Sequence, residues 1–181
     1  DGKFGKAVMV EEGTTNLLTA NQSSVETNTT GFTPIGAGTT LSRDITTAWH
    51  GSASLKVTTD GSGGYKGFAA ILGYTNFVAG GTYTISVYLK GTGNVRVFMW
   101  QASPSLSIGT VKTVNLTPDW QRVEVTVTMP NPLQQTNYGI RVDTGGTPAQ
   151  AITFYADGLQ IEQKPYATSF VDGTRAAETL T

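Results

Sequence analysis

Apolar and polar residues alternate with a period of two through much of this chain. Tyr83, Ile85, Val87 and Leu89 fall on one side of a run whose other side carries Thr82, Thr84, Ser86, Tyr88 and Lys90. Val123, Val125 and Val127 alternate in the same way with Arg122, Glu124 and Thr126. Such runs predict strands over 54–58, 68–72, 82–90, 95–101, 110–115, 121–129, 138–143 and 152–161. Asp60-Gly61, Gly80-Gly81, Gly91-Thr92-Gly93-Asn94 and Gly145-Gly146 punctuate them as turns. Residues 21–38 read as polar and turn-rich, and no segment offers a capped helical stripe. Many short strands with regular turns predict an all-β fold, a two-sheet antiparallel β-sandwich of the jelly-roll kind. Its core should hold Ile85, Val87, Leu89, Val97, Val125, Val127, Ile140, Val142 and Phe154.

The length of 181 residues suits one domain. Residues 1–15 read as a lead-in segment, 16–162 as the sandwich, and 163–181 as a linker or tail towards a following domain. A start without Met fits a piece of a multidomain protein, with covalently linked neighbouring domains as partners. Charged residues make up 14% and the formal net charge is −1, with no Lys/Arg cluster, so no nucleic-acid partner is expected. No apolar run approaches the ~20 residues of a membrane span, so no membrane partner is expected either. The absence of Cys excludes disulfides and thiolate metal sites. Abundant Thr and Gly with low charge fits a secreted β-protein.

Several segments, in order, resemble one family. They are Asn16-Leu17-Leu18; Ser24-Val25-Glu26 with Gly31-Phe32; Gly51-Ser52-Ala53-Ser54-Leu55-Lys56-Val57; the run 81–90; Asp119-Trp120-Gln121-Arg122-Val123; and the run 154–162. Together they resemble the galactose-binding-like carbohydrate-binding modules, especially families four, nine, sixteen and twenty-two. The sequence departs from that pattern at Val25, where an aromatic is usual, and at Gly158, where a second acid is common. The resemblance implies a non-catalytic module that binds a polysaccharide or cell-surface glycan, outside the cell or on a virion surface. It also implies a structural calcium ion held by Asp157 and Glu26, with Ser52 and Ser54 in the turn that completes the site. The tail 166–175 resembles a junction of multidomain bacterial and phage proteins, which raises an alternative: a structural or adhesive module of a phage tail, capsid decoration or surface-layer protein.

The residues themselves speak against catalysis. His50 is the single histidine, in a turn, with no nucleophile elbow or Cys to activate. A sugar site needs flat apolar rings beside a few hydrogen-bonding groups. If Val95, Val97 and Met99 face the core, then Arg96, Phe98 and Trp100 crowd the face that should meet water. Tyr88 and Arg141 have the same outward parity, so Trp100, Phe98, Tyr88 and Arg141 are expected to form one platform. Gln101 is expected to pair with sugar hydroxyls at the strand end, and Tyr65, raised on Gly63-Gly64, to stack from a loop. Trp49, Tyr74, Tyr138 and Tyr155 are further candidate aromatics, and Trp120 is assigned to the sandwich edge. An open aromatic groove would favour glycan binding, and a covered face would favour the structural role.

Overall fold

The computed structural model describes residues 12–148 and 150–177. The chain runs β1 (Thr14–Thr15), helix α1 (Ala20–Ser24), β2 (Phe32–Ile35), β3 (Thr39–Asp44), β4 (Ser54–Thr59) and β5 (Gly67–Leu72). A 3-10 turn (Tyr74–Asn76) leads to β6 (Thr82–Gly91), β7 (Asn94–Gln101), β8 (Leu106–Asn115), β9 (Gln121–Thr128), β10 (Tyr138–Asp143), β11 (Thr153–Glu162) and β12 (Thr174–Arg175). Two five-stranded antiparallel sheets face each other: sheet I in the order β2-β5-β10-β7-β8, and sheet II in the order β3-β4-β11-β6-β9. This is the expected sandwich. All nine expected core residues lie in one buried cluster, each at most 5% exposed, beside Phe68, Met99, Tyr83 and Leu159.

The segments missing from the sequence reading are those that bury least. Strands β2 and β3 are the outer strands of their sheets and carry no apolar alternation. Pro34 sits in β2, where a strand edge tolerates a missing N–H. Helix α1 is only five residues long, too short for a stripe, yet it is capped. The Thr19 side chain accepts from Gln22 N, and Gln22 Oε1 accepts from Thr19 N. Its C-cap, Val25, is a buried β-branched residue at φ 57.

Residues 163–177, expected as a tail, run back over the sandwich. Thr174–Arg175 pairs with Thr14–Thr15, so the described ends of the chain meet. Asn16 fixes this arrangement from the inside: its amide donates to Leu159 O and Val171 O and accepts from Leu18 N and Ile161 N. Asn16–Leu18 is irregular chain that joins β11 through Leu17 N to Ile161 O. Phe170 meets the edge of Trp49, whose other contact is a parallel stack on Tyr88 with centroids 3.5 Å apart. The middle of the outer face of sheet II, around Tyr88, is therefore covered, while Thr58, Glu124, Thr126 and Thr128 on its flanking strands stay exposed. Gly158, one of the departures from the family pattern, has its reason here. It sits at φ +55 in a bulge of β11, and a Cβ would lie 2.7 Å from the Trp49 ring and 2.9 Å from the Tyr88 ring.

Gly158→Ala is accordingly expected to destabilise the protein by about 1–3 kcal/mol, from backbone strain and displacement of the stacked rings. Urea melts check the stability, and near-ultraviolet circular dichroism reads the Trp49–Tyr88 stack. An unchanged midpoint with an unchanged aromatic signal would contradict the packing described.

Candidate functional site

The outer face of sheet I is built quite differently. On its central strands the outward positions are Gly67, Ala69 and Ile71 of β5, and Gly139, Arg141 and Asp143 of β10. On β7 they are Arg96, Phe98 and Trp100. Register places Arg96 opposite Asp143, Phe98 opposite Arg141 and Trp100 opposite Gly139. A groove runs over Arg96, Phe98 and Trp100 of β7 and Arg141 of β10. It has a volume of about 290 Å³, and Ser105, Leu106, Ser107 and Val111 of the β7–β8 turn and β8 form its far wall. Tyr65, 51% exposed, closes the near end from the loop before β5. Its ring lies against Gly146, where a Cβ would come within 3.1 Å of it, and Gly64 bridges to Gly146 to hold the loop there.

The organising group is a carboxylate beneath the groove. Asp143 is fully buried. It accepts from Arg96 Nε at 2.8 Å and Nη2 at 3.0 Å, from Arg141 Nε at 2.7 Å and from Gly145 N at 3.0 Å. Two guanidiniums anchored on one acid are thus held flat among the rings. The Arg96 guanidinium carbon lies 4.6 Å from the Tyr65 centroid and 5.3 Å from Phe98; that of Arg141 lies 5.4 Å from Trp100 and 5.6 Å from Phe98 and Tyr65. Trp100 Nε1 donates to Ser105 Oγ at 2.9 Å, which sets the indole against the turn with part of its face open.

Of the residues expected to bind ligand, Tyr65, Phe98, Trp100 and Arg141 come together. Phe98 is floor rather than surface, 4% exposed between the two guanidiniums. Tyr88 does not join them. Its outward parity holds, but β6 belongs to sheet II, so it faces the opposite side of the molecule, stacked under Trp49. Gln101 also falls outside. It shares the inward parity of Met99, is 2% exposed, and its amide donates to Ser103 O and Pro104 O beneath the β7–β8 turn. Tyr138 is a core residue whose hydroxyl closes the 134–138 turn. The sequence reading did not assign Arg96 or Asp143 to the site. Its available signal was that Asp143 shares a face with Arg141 two residues away; the approach of Arg96 needs the β7–β10 register.

The expected calcium ligands do converge, on the loop between β3 and β4, but through a different set of bonds. Asp157, fully buried, accepts from Trp49 N and His50 N on one oxygen and from Gly158 N on the other, at 2.7–2.9 Å. Glu26 accepts from Ser52 N, Ala53 N and Ser52 Oγ. Ser54 turns away to donate to Thr47 O. The loop thus presents N–H groups to both carboxylates, whereas a hard cation needs six to eight oxygens there. Among the described residues no three His, Cys, Asp or Glu side chains gather as a metal set. Burial pushes Asp157 up to about 6, against the opposing pull of its His50, Trp49 and Gly158 hydrogen bonds. For Glu26 burial pushes upward, but the hydrogen bonds from Ser52 and Ala53 bring the carboxyl below its usual value.

No family model and no curated protein matches the sequence. Solved structures do. The C-terminal family 22 carbohydrate-binding module of Clostridium thermocellum Xyn10B superimposes with a TM-score of 0.62 at 19% identity, over 81% of this chain and 94% of that one. A family 4 module matches at 0.61 and 20% identity, over 81% of this chain and 100% of that one. A xylan-binding domain of family 22 matches at 0.63 and 19% identity, over 85% and 98%. This chain has the β-sandwich fold of those carbohydrate-binding modules.

Proposed function

We propose that the protein is a non-catalytic glycan-binding module, acting outside the cell, that docks a polysaccharide or surface glycan in the groove of sheet I. One observation carries this reading: the chain's own loop and tail cover the middle of sheet II's outer face, while sheet I carries an aromatic groove open to solvent. Tyr65 and Trp100 offer ring faces to the C–H patches of sugars, and the guanidiniums between them offer donors to hydroxyl and ring oxygens. The groove lining includes no acid and no histidine, so it holds none of the paired carboxylates of a glycoside hydrolase. The similarity to modules described as binding xylan or other ligands supports the same reading. Because Asp143 fixes both arginines before any ligand arrives, little ordering cost remains to be met on binding.

Trp100→Ala and Tyr65→Ala are each expected to weaken binding to the glycan that the native protein retains, by about 1–3 kcal/mol, roughly 5- to 150-fold. Tyr88→Ala should leave the affinity unchanged, since that ring lies on sheet II. Affinity electrophoresis on a polysaccharide panel, followed by calorimetric titration of the variants with folding checked by circular dichroism, makes the comparison. Loss of binding in Tyr88→Ala with none in Trp100→Ala would move the site to the other face. Failure of the native protein to bind any glycan would favour the structural or adhesive module instead.

We further infer that the loop joining β3 to β4 is clasped by Glu26 and Asp157 through hydrogen bonds alone, without the calcium ion the family resemblance implies. What supports this is the polarity of the loop, which turns N–H groups to the acids. An Asp157 pKa near 6 carries a definite sign: the folded state holds the proton more tightly than the unfolded chain, whose carboxyl titrates near ~3.9. The contribution of Asp157 to stability is therefore greatest below about pH 4 and is lost as the pH rises through about 6. A carbon-detected nuclear magnetic resonance titration of the Asp157 carboxyl should give a midpoint near pH 6, unmoved by calcium. A midpoint below 4 that appears only with calcium, or a melting temperature lowered by EDTA, would restore the metal.

A further inference from the structure

The proposal that follows rests on the glycan-binding reading and narrows it to a class of ligand. The side-chain donors facing the groove can be assigned. Arg96 commits Nε and Nη2 to Asp143. Arg141 commits only Nε, and its Nη1 and Nη2 have no partner among the described residues although the residue is just 8% exposed. Those nitrogens carry four of the five N–H donors of a guanidinium. They lie on the groove floor, flanked by the rings of Tyr65, Phe98 and Trp100.

Charge points the same way. Two guanidiniums share a single carboxylate, so one positive charge is left over, and no acid lines the groove to neutralise it. The protein as a whole carries a formal charge of −1, so this is a local excess and not part of a general basic character. Aromatic walls lower the local dielectric and keep water from screening the charge. The side-chain acceptors in the lining are hydroxyls alone, those of Tyr65, Ser105 and Ser107, and the Ser105 hydroxyl already accepts from Trp100. A site rich in donors and poor in acceptors is a poor match for a fully neutral sugar, whose hydroxyls must both give and take hydrogen bonds. It matches a sugar that brings its own anion.

We propose that the groove recognises a carboxylate-bearing glycan, with the uronate of one residue received end-on by Nη1 and Nη2 of Arg141 and the adjoining rings stacked on Trp100 and Tyr65. The end of a guanidinium presents two parallel N–H bonds at the spacing of a planar carboxylate. Arg96 supports the site by keeping Asp143 neutralised when Arg141 turns its free end to the ligand. Asp143 is a positioning residue: it sets the rotation of the Arg141 fork and touches no ligand.

The test compares matched polymers. Glucuronoxylan and polygalacturonate are each titrated against the full chain beside the same polymer after chemical reduction of its carboxyls to alcohols, and a sulfated galactan is run beside its desulfated form. The native carboxylated polymers should bind at least about tenfold tighter than the reduced ones, the worth of one charge-assisted contact. That margin should shrink as salt rises from about 0.05 to 0.5 M. Arg141→Gln should erase the margin, so that the native and reduced forms of each polymer bind it equally. Arg141→Lys, which keeps the charge beside Asp143 but loses the fork, should erase most of it. The wild-type comparison needs no variant to fold. Equal affinity for native and reduced polymers overturns the carboxylate assignment and leaves the glycan-binding reading standing. Preference for the sulfated galactan, with none for uronates, likewise overturns it. Binding to none of the six polymers overturns both.

Discussion

A carboxylate removed from water must find donors to replace it, and among the described residues three acids are fully buried: Asp143, Asp157 and Glu162. Each is met by donors from elsewhere in the chain, and each set of donors joins parts that packing alone would leave loose. Asp143 draws Arg96 from the neighbouring strand and Arg141 from its own, and so builds the groove. Asp157 takes N–H groups from Trp49 and His50 and so seats the loop that carries the Trp49 ring. Glu162 accepts from the hydroxyls of Thr14 and Thr168 and from Thr168 N, which ties both ends of the described chain to the last long strand. The apolar core makes the two sheets; these three acids decide what lies on their outer faces.

The faces differ as a consequence. On sheet II, the loop clasped by Asp157 and the tail clasped by Glu162 bring Trp49 and Phe170 down over Tyr88, and Arg122 reaches across to Ser86 Oγ and Thr168 O. On sheet I, nothing of the kind is drawn in. A groove stays open over β7, and Asp143 fills its underside with charge-paired guanidiniums instead of chain. Strength of pairing matters here, because a buried carboxylate with one partner removed is costly, about 3–5 kcal/mol. Sharing Asp143 between two arginines lets one of them address a ligand while the other keeps the acid compensated.

The alternation along 82–90, 95–101, 121–129 and 138–143 was enough to place the core and the direction of each side chain, because side-chain parity follows directly from strand geometry. It was not enough to say which strands share a sheet. Tyr88 and Trp100 both point outward, yet from opposite sheets, and only the pairing of β6 with β11 and β9, and of β7 with β10 and β8, separates them. Gln101 was misplaced for a simpler reason: its parity is that of Met99, inward, and its polar end is satisfied by the turn above it. The short or edge elements β2, β3 and α1 left little trace in the hydrophobic pattern because they bury few side chains. Glu26 and Asp157 were named only through the family resemblance, and both do reach one loop. Whether that loop turns N–H or C=O groups towards them is a backbone orientation that no residue type encodes.

The three tryptophans provide the most direct measurement of where this molecule meets its ligand. Trp100 lies in the groove, Trp49 in the stack on sheet II, and Trp120 at the sandwich edge near Lys90. Their indole N–H groups give three separate signals in a nitrogen–proton correlation spectrum, and each reports on one region of the surface. Titration of the labelled protein with a glycan that it retains should move the Trp100 signal, together with the guanidinium Nε signals of Arg96 and Arg141, and leave Trp49 and Trp120 in place. Movement of Trp49 or Trp120 with Trp100 unchanged would contradict the account.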